Sequence, residues 1–220
     1  MPTTGSAHAP RFINAASRLA AGLDADLVIG FDVAHLGTLR NLDYVGPVKV
    51  VTVDSHGTRQ MSAILNEVLA CARGEYVLRL DDDEEASPAL RDWLSEWRTS
   101  DSRLAQYLFP RLNLWKSEAH ALAGARWYPD WQARLSTAEN ARRDKPHQDR
   151  LDVQPTAEID AAILHHLYLV RSEEWLRERT RTVPSYAPGG ASPSYPASDS
   201  QVIAVGDGSG HTHRPKRRRW

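Results

Sequence analysis

The sequence predicts a single α/β domain with a mainly parallel sheet and helices on both faces. Three observations lead to it. Two short apolar runs, Asp26–Asp32 and Val48–Asp54, each end in an aspartate. Segments with helical periodicity alternate with such runs, which is the order that builds parallel sheets. A third run, Tyr76–Leu80, empties into the consecutive carboxylates Asp81 to Glu85, and open α/β sheets bind ligands at the carboxyl ends of their strands.

The elements follow in order. Pro10 suits a first helical turn, and Phe12, Ile13, Ala16, Leu19, Ala20 and Leu23 recur at helical spacing, with Gly22 as a stop. After the first two strands, Met61, Ile64, Leu65, Val68 and Leu69 form a second helical stripe, and Gly74 ends it. Beyond the acidic strand, Ser87 and Pro88 open a third helix with Leu90, Trp93, Leu94 and Trp97 on its apolar face. Tyr107–Leu112 reads as a strand placed near an edge or bulge by Pro110. The polar stretch from Asn140 to Gln154 reads as a loop, and Ile163–Val170 as a further strand carrying His165 and His166. Ser172 caps a last helix with Glu173 and Glu174 in its first turn. Residues 1–183 form the domain; 184–220 are rich in Pro, Gly and Ser, read as a disordered tail with a basic end, and hold His211 and His213.

Composition narrows the function. The chain has 220 residues, 41% hydrophobic and 25% charged, ordinary for one soluble domain. A net charge of -1 supplies no field directed at nucleic acid or an anionic membrane; the basic run Lys216–Arg219 is confined to the tail. Cys71 is the single cysteine, so an intrachain disulfide is excluded. No apolar run approaches the roughly 18 residues of a membrane span, and Met1–Pro10 lacks the basic start and apolar centre of a secretory signal. A cytoplasmic protein is expected, or one peripheral at the membrane.

Two stretches carry chemistry. Carboxylates as dense as Asp81–Glu85 repel one another and call for a cation or for solvent. Asp81 and Asp83 can share a Mg²⁺ or Mn²⁺ ion, hard cations that take oxygen ligands and substrate phosphates; a plain solvated loop is the alternative. Arg79 supplies a counter-charge for these acids. The second stretch, Trp127–Leu135, mixes aromatics, Asp130, Gln132 and Arg134 in the manner of a pocket lining.

On these residues the chain resembles the family 2 glycosyltransferases of GT-A fold, in their bacterial branch. The resemblance rests on Leu65-Asn66, on Leu80-Asp81-Asp82-Asp83-Glu84, on Tyr128-Pro129-Asp130-Trp131-Gln132-Ala133-Arg134-Leu135, and on Leu164-His165-His166-Leu167 running into Arg171-Ser172-Glu173-Glu174. It spans roughly Arg11 to Arg181 and implies a GT-A-like, nucleotide-diphospho-sugar transferase sandwich of three layers. It implies transfer of a hexosyl group from a UDP-, GDP- or dTDP-sugar donor to a glycan or other acceptor hydroxyl, with inversion. In that reading Asp130 is the catalytic base, Asp32, Asp81 and Arg79 help hold the nucleotide, and Asp81, Asp83 and His166 hold Mn²⁺ or Mg²⁺. His165 is the alternative to His166, and His147 matches a further family position loosely. The apolar first strand of the family has no counterpart, since Met1–Ala9 leads directly into the first helix. A truncated, non-catalytic GT-A-like protein or binding module is therefore the alternative. A nucleotidyltransferase would bring a Gly-rich phosphate loop that the N-terminus lacks.

Overall fold

The computed structural model describes residues 2–3, 7–32, 45–53, 61–101, 103–123, 127–142, 153–172, 174–175 and 202–205. Pro2–Thr3 (β1) pairs in parallel with Leu27–Asp32 (β2), Pro2 opposite Gly30 and Thr3 opposite Phe31. The N-terminus, read from sequence as lacking a strand, thus contributes a two-residue one. An open strand edge offers unpaired amides to any extended segment beside it. Between them runs Ala9–Gly22 (α1), with Pro10 in its first turn. Its face Phe12, Ile13 and Ala16 covers Leu27, Ile29 and Phe31, so a helical period meets the alternate residues of one strand face. Val48–Val53 (β3) pairs in parallel along the whole of β2 and completes a three-stranded sheet. Asp54 lies outside the described residues.

Met61–Ala70 (α2) buries Leu65 and Val68. Tyr76–Leu78 (β4) and Glu84–Ala86 (β5) follow, separated by the turn that holds the aspartates. Pro88–Arg98 (α3) starts where the Ser87 hydroxyl accepts from the Leu90 amide at 3.1 Å, a cap worth about 1 kcal/mol. Leu90 and Leu94 are buried beneath it, and Trp93 and Trp97 pack edge-on against Tyr107, Trp93 also against Phe109. The tryptophans belong to the core.

The second sheet has eight strands and is mostly antiparallel. Its hub is Gln106–Trp115 (β6), which pairs antiparallel with Ser117–Leu122 (β7) and Asp130–Thr137 (β8). It pairs in parallel with Thr156–Glu158 (β9) and Ile163–His165 (β10). β5 adds antiparallel to β10, and β4 antiparallel to β8. The protein is therefore mixed α/β, and the mainly parallel sheet expected from sequence is corrected: parallel order is confined to β1–β3 and to two neighbours of β6. The cause is connection length. One residue, Lys116, joins β6 to β7, too short for any crossover that would make them parallel.

Three further readings change. The expected strand Ile163–Val170 stops at His165 and continues as the short helix Leu167–Val170 (α4). Pro110 does not mark an edge: opposite β8 it pairs with Trp131, and on the other side it falls between the pairing with β9, which ends at Leu108 of β6, and the pairing with β10, which begins at Arg111 of β6. No ladder amide is needed at that point. In the tail, Val202–Ala204 (β11) pairs antiparallel with β7, since a β-branched run meets an open edge there. The tail residues other than 202–205, with His211, His213 and Lys216–Arg219 among them, lie outside the described residues, as does His147. Among the described residues no helix is long and apolar enough to cross a membrane.

Replacing Leu90, fully buried in the main core, by Ala is expected to cost about 2–5 kcal/mol, and Ser87→Ala about 1 kcal/mol. Val50→Ala, at an exposed position of β3, should stay within about 0.5 kcal/mol of the parent. Urea unfolding of the three variants checks the ranking.

Candidate functional site

The register of the second sheet assembles the polar cluster. Arg111 of β6 stands directly opposite Asp130 of β8, and cross-strand pairs of opposite charge attract. Arg111 donates to the Asp130 carboxylate from Nε at 2.8 Å and from Nη2 at 2.7 Å. Two residues along β8, and so on the same face, Gln132 donates from Nε2 to the other oxygen of Asp130 at 2.8 Å. Asp130 is thus held at both oxygens, half-buried, by Arg111 and Gln132.

Arg134 enters the cluster by a different device. Leu135 lies opposite Tyr107 and Ala133 opposite Leu108, so Arg134 is the extra residue of a bulge. Bulges re-aim side chains, and this one sends a guanidinium into the interior, where it is 2% exposed. Its Nη2 donates to Glu84 Oε1 at 2.6 Å and to Asp81 Oδ2 at 3.1 Å. Arg79 forks onto the same aspartate, Nε to Oδ1 and Nη2 to Oδ2, both at 3.0 Å. The acidic turn is further tied by the Asp81 amide donating to Glu84 Oε2 and the Glu84 amide donating to the Asp81 carbonyl, both at 3.1 Å. Arg111 Nη1 reaches Glu84 Oε1 at 3.5 Å, which joins the Asp81 and Asp130 halves into one network.

Asp83 leaves this network in another direction. His165 Nε2 lies 3.5 Å from its carboxylate, and His165 Nδ1 meets Asn113 Oδ1 at 2.6 Å, across the parallel pairing of β10 and β6. The His166 amide donates to the Asp83 carbonyl at 2.8 Å. The imidazole of His166, however, packs on Phe12 with ring centroids 5.1 Å apart, and neither ring nitrogen has a hydrogen-bond partner among the described residues. His165, not His166, is therefore the histidine brought to the acids, because the strand ends at His165 and the chain turns into α4 at the next residue. The metal set Asp81, Asp83 and His166 does not converge, and no group of three His, Cys, Asp or Glu suited to a metal occurs among the described residues. Asp32 closes β2, but its side chain lies outside what the structure describes.

The electrostatics follow from burial and neighbours. Burial alone would raise the Asp81 carboxyl, but Arg134 and Arg79 hold it far below the usual carboxylate range. Burial likewise opposes ionisation of Asp83, and the charge and hydrogen bond of His165 outweigh it and lower its pKa. Burial lowers the pKa of His166, with Glu85 opposing. The sequence singles out Asp81, Asp83, Asp130, Arg79 and Arg134. It does not single out Arg111 or Asn113, and it marks Glu84 only as one of the acidic run. The signal for Arg111 was a cation inside the apolar run Tyr107–Leu112.

Two outcomes test this network. Folded-state lowering of the Asp81 and Asp83 pKa means that each contributes stability fully present above the unfolded carboxyl pKa, about 4. That contribution is lost as pH falls through the lower folded values. Stability should therefore fall steeply on acidification below about pH 4, and Asp83→Asn should flatten part of the slope in urea unfolding. Arg134→Ala, which strands a buried Glu84, should cost about 3–5 kcal/mol, whereas the double change Arg134→Met with Glu84→Leu recovers most of it.

No family model matches this chain, and no curated protein matches it. Among solved structures it is similar to HddC from Yersinia pseudotuberculosis, at 9% identity and a TM-score of 0.41, with 75% of this chain and 90% of that chain covered.

Proposed function

We propose that this chain is a metal-dependent glycosyltransferase of GT-A-like architecture, moving a hexosyl group from a nucleotide-sugar donor to an acceptor hydroxyl. The observation that carries the reading is the gathering of Asp81, Glu84 and Asp130 with Arg79, Arg111 and Arg134 in one largely buried cluster, with Asp83 and His165 beside it. Burying so many charges costs several kcal/mol per ion before pairing. A scaffold would be as stable with apolar residues. The GT-A reading of the fold draws on the order of elements: parallel β2 and β3, then α2, then β4 with the acids at its carboxyl end.

The roles divide by environment. Both oxygens of Asp81 are occupied by arginines, so Asp81 anchors Arg79 and Arg134 beside the donor diphosphate rather than holding a cation. Asp83 is the carboxylate whose side-chain partner is a neutral-capable imidazole, and with His165 it fits Mg²⁺ or Mn²⁺, which accept one or two protein ligands and complete their shell with water and phosphate. Such an ion would neutralise charge developing on the departing diphosphate. Asp130 takes the proton of the acceptor hydroxyl as its oxygen attacks the anomeric carbon and the bond to the diphosphate breaks. Arg111 and Gln132 fix the carboxylate in place for that transfer. A single displacement of this kind inverts the anomeric centre. The donor is a UDP-, GDP- or dTDP-sugar and the acceptor a glycan or other hydroxyl compound, reached from the cytoplasm or the membrane periphery.

The second reading, a non-catalytic GT-A-like binding module, is favoured by one feature: Asp81, Glu84 and Asp130 are each in ion pairs already. Calorimetric titration of UDP-, GDP- and dTDP-sugars, with and without Mn²⁺, separates the two. Metal-dependent binding of one nucleotide class, lost in Asp83→Asn, is the expected result. Asp130→Asn should keep donor binding while turnover falls by about 10²–10⁴. A folded protein that binds no sugar nucleotide under either condition would be the module.

A further inference from the structure

Asn113 of β6 and His165 of β10 stand opposite each other in the parallel ladder, so their side chains share a face of the sheet. Both are buried, Asn113 to 5% exposure and His165 to 7%, and buried polar groups have to answer one another. Asn113 Nδ2 donates to the Trp127 carbonyl at 3.3 Å, and Asn113 Oδ1 meets His165 Nδ1 at 2.6 Å. A carbonyl only accepts, so turning the amide about would set Asn113 Oδ1 against the Trp127 oxygen. The imidazole is fixed in the same way. Rotated by half a turn about its Cβ–Cγ bond, the ring would offer carbon to both Asn113 and Asp83.

An amide oxygen opposite Nδ1 requires that Nδ1 carry the proton. Neutral His165 is then the Nδ1–H tautomer, with its lone pair on Nε2, which stands 3.5 Å from the Asp83 carboxylate. That separation exceeds the about 2.7–2.9 Å of a charge-assisted N–H···O bond, as expected where two acceptors face each other. The competing arrangement, Nε2–H donated to Asp83, needs Asn113 to turn its amide and leaves the Trp127 carbonyl facing an oxygen. We propose that Asn113 is a positioning residue, which holds His165 in the Nδ1–H tautomer and so keeps the Nε2 lone pair and the Asp83 carboxylate together as a cation-accepting pair. Ligating histidines are oriented in this manner by a hydrogen bond at the other ring nitrogen. The ligand role of Nε2 rests on the metal-dependent reading above; the tautomer does not. Through the Trp127 carbonyl, Asn113 also ties the stretch that leads to Asp130 to the strand that carries His165.

The tautomer is read on the full chain without metal, on the alkaline side of the imidazole titration. Long-range proton–nitrogen correlation NMR of the assigned His165 ring should show Nδ1 protonated and Nε2 bare. In Asn113→Leu, which removes the acceptor at nearly constant volume, the proton should move to Nε2. Mn²⁺ affinity, followed by electron paramagnetic resonance of the free ion, should fall about tenfold or more in that variant. Asn113→Asp keeps an acceptor and should keep the Nδ1–H form. A bare Nδ1 in the parent protein overturns the proposal whatever the variants do. So does a folded Asn113→Leu that retains the Nδ1–H form, or one in which the proton moves and Mn²⁺ affinity stays the same. A parent protein that has the Nδ1–H form and binds no Mn²⁺ upholds the hold of Asn113 on His165 and sinks the metal-dependent reading instead.

Discussion

The pairing of Arg134 with Glu84 and Asp81 is the constraint on which the second sheet depends. Burying a guanidinium to 2% exposure costs several kcal/mol without compensation, and its partners come from a turn 50 to 53 residues earlier. That requirement fixes three things together. β8 must bulge to aim the side chain inward, β4 must lie against β8 so that the turn after it arrives beneath the guanidinium, and the turn must fold back so that Glu84 and Asp81 face the same cation. The backbone bond from the Arg79 amide to the Arg134 carbonyl, 2.8 Å, holds the register in which this happens. Packing then reinforces the register: Leu80 and Leu135 belong to the core under α3, one on each side of the ion pair in sequence.

The helices were legible in the sequence because each buries a single face. Phe12, Ile13 and Ala16, then Leu65 and Val68, then Leu90 and Leu94 recur at the helical period, and caps and stops at Pro10, Ser87 and Gly74 mark their ends. β2, β3 and β4 were legible as apolar runs. In the antiparallel half β6 and β10 were, and β7, β8 and β9 were not. β7 is built from Ser117-Glu118-Ala119-His120-Ala121-Leu122, with only Ala121 and Leu122 buried, so its alternation is faint. β8 carries Asp130, Gln132 and Arg134, polar residues on what is structurally an inner face. A strand that serves a charged cluster loses the apolar signal by which strands are found. β9 has three residues, too few for any period to show, whereas β10 opens the apolar run from Ile163 that reads as a strand.

The site was legible in part for the same reason. Acids at the end of an apolar strand stand out, and so does an acid within an aromatic stretch. What cannot be read locally is pairing across the sheet. That Asp130 meets Arg111 rather than Arg134 follows from a register over β6 and β8. That His165 rather than His166 meets Asp83 follows from the single residue at which β10 gives way to α4.

Under the proposed reading, charge within the cluster bears on the order in which metal and donor would arrive. Three arginines, Arg79, Arg111 and Arg134, are interwoven with Asp81, Glu84 and Asp130, so their charges are matched before any ligand binds. Asp83 stands over, accompanied by His165. With the imidazole neutral the ensemble has one negative charge in excess, which repels a diphosphate rather than attracting it. Under the proposed reading, a divalent ion held by Asp83 would reverse the sign, and the arginines could then serve as additional donors to a phosphate. Under the proposed reading the arginines therefore do not recruit the donor by themselves. Their field would become available to it only with a cation at Asp83, so that donor and metal would bind as a pair.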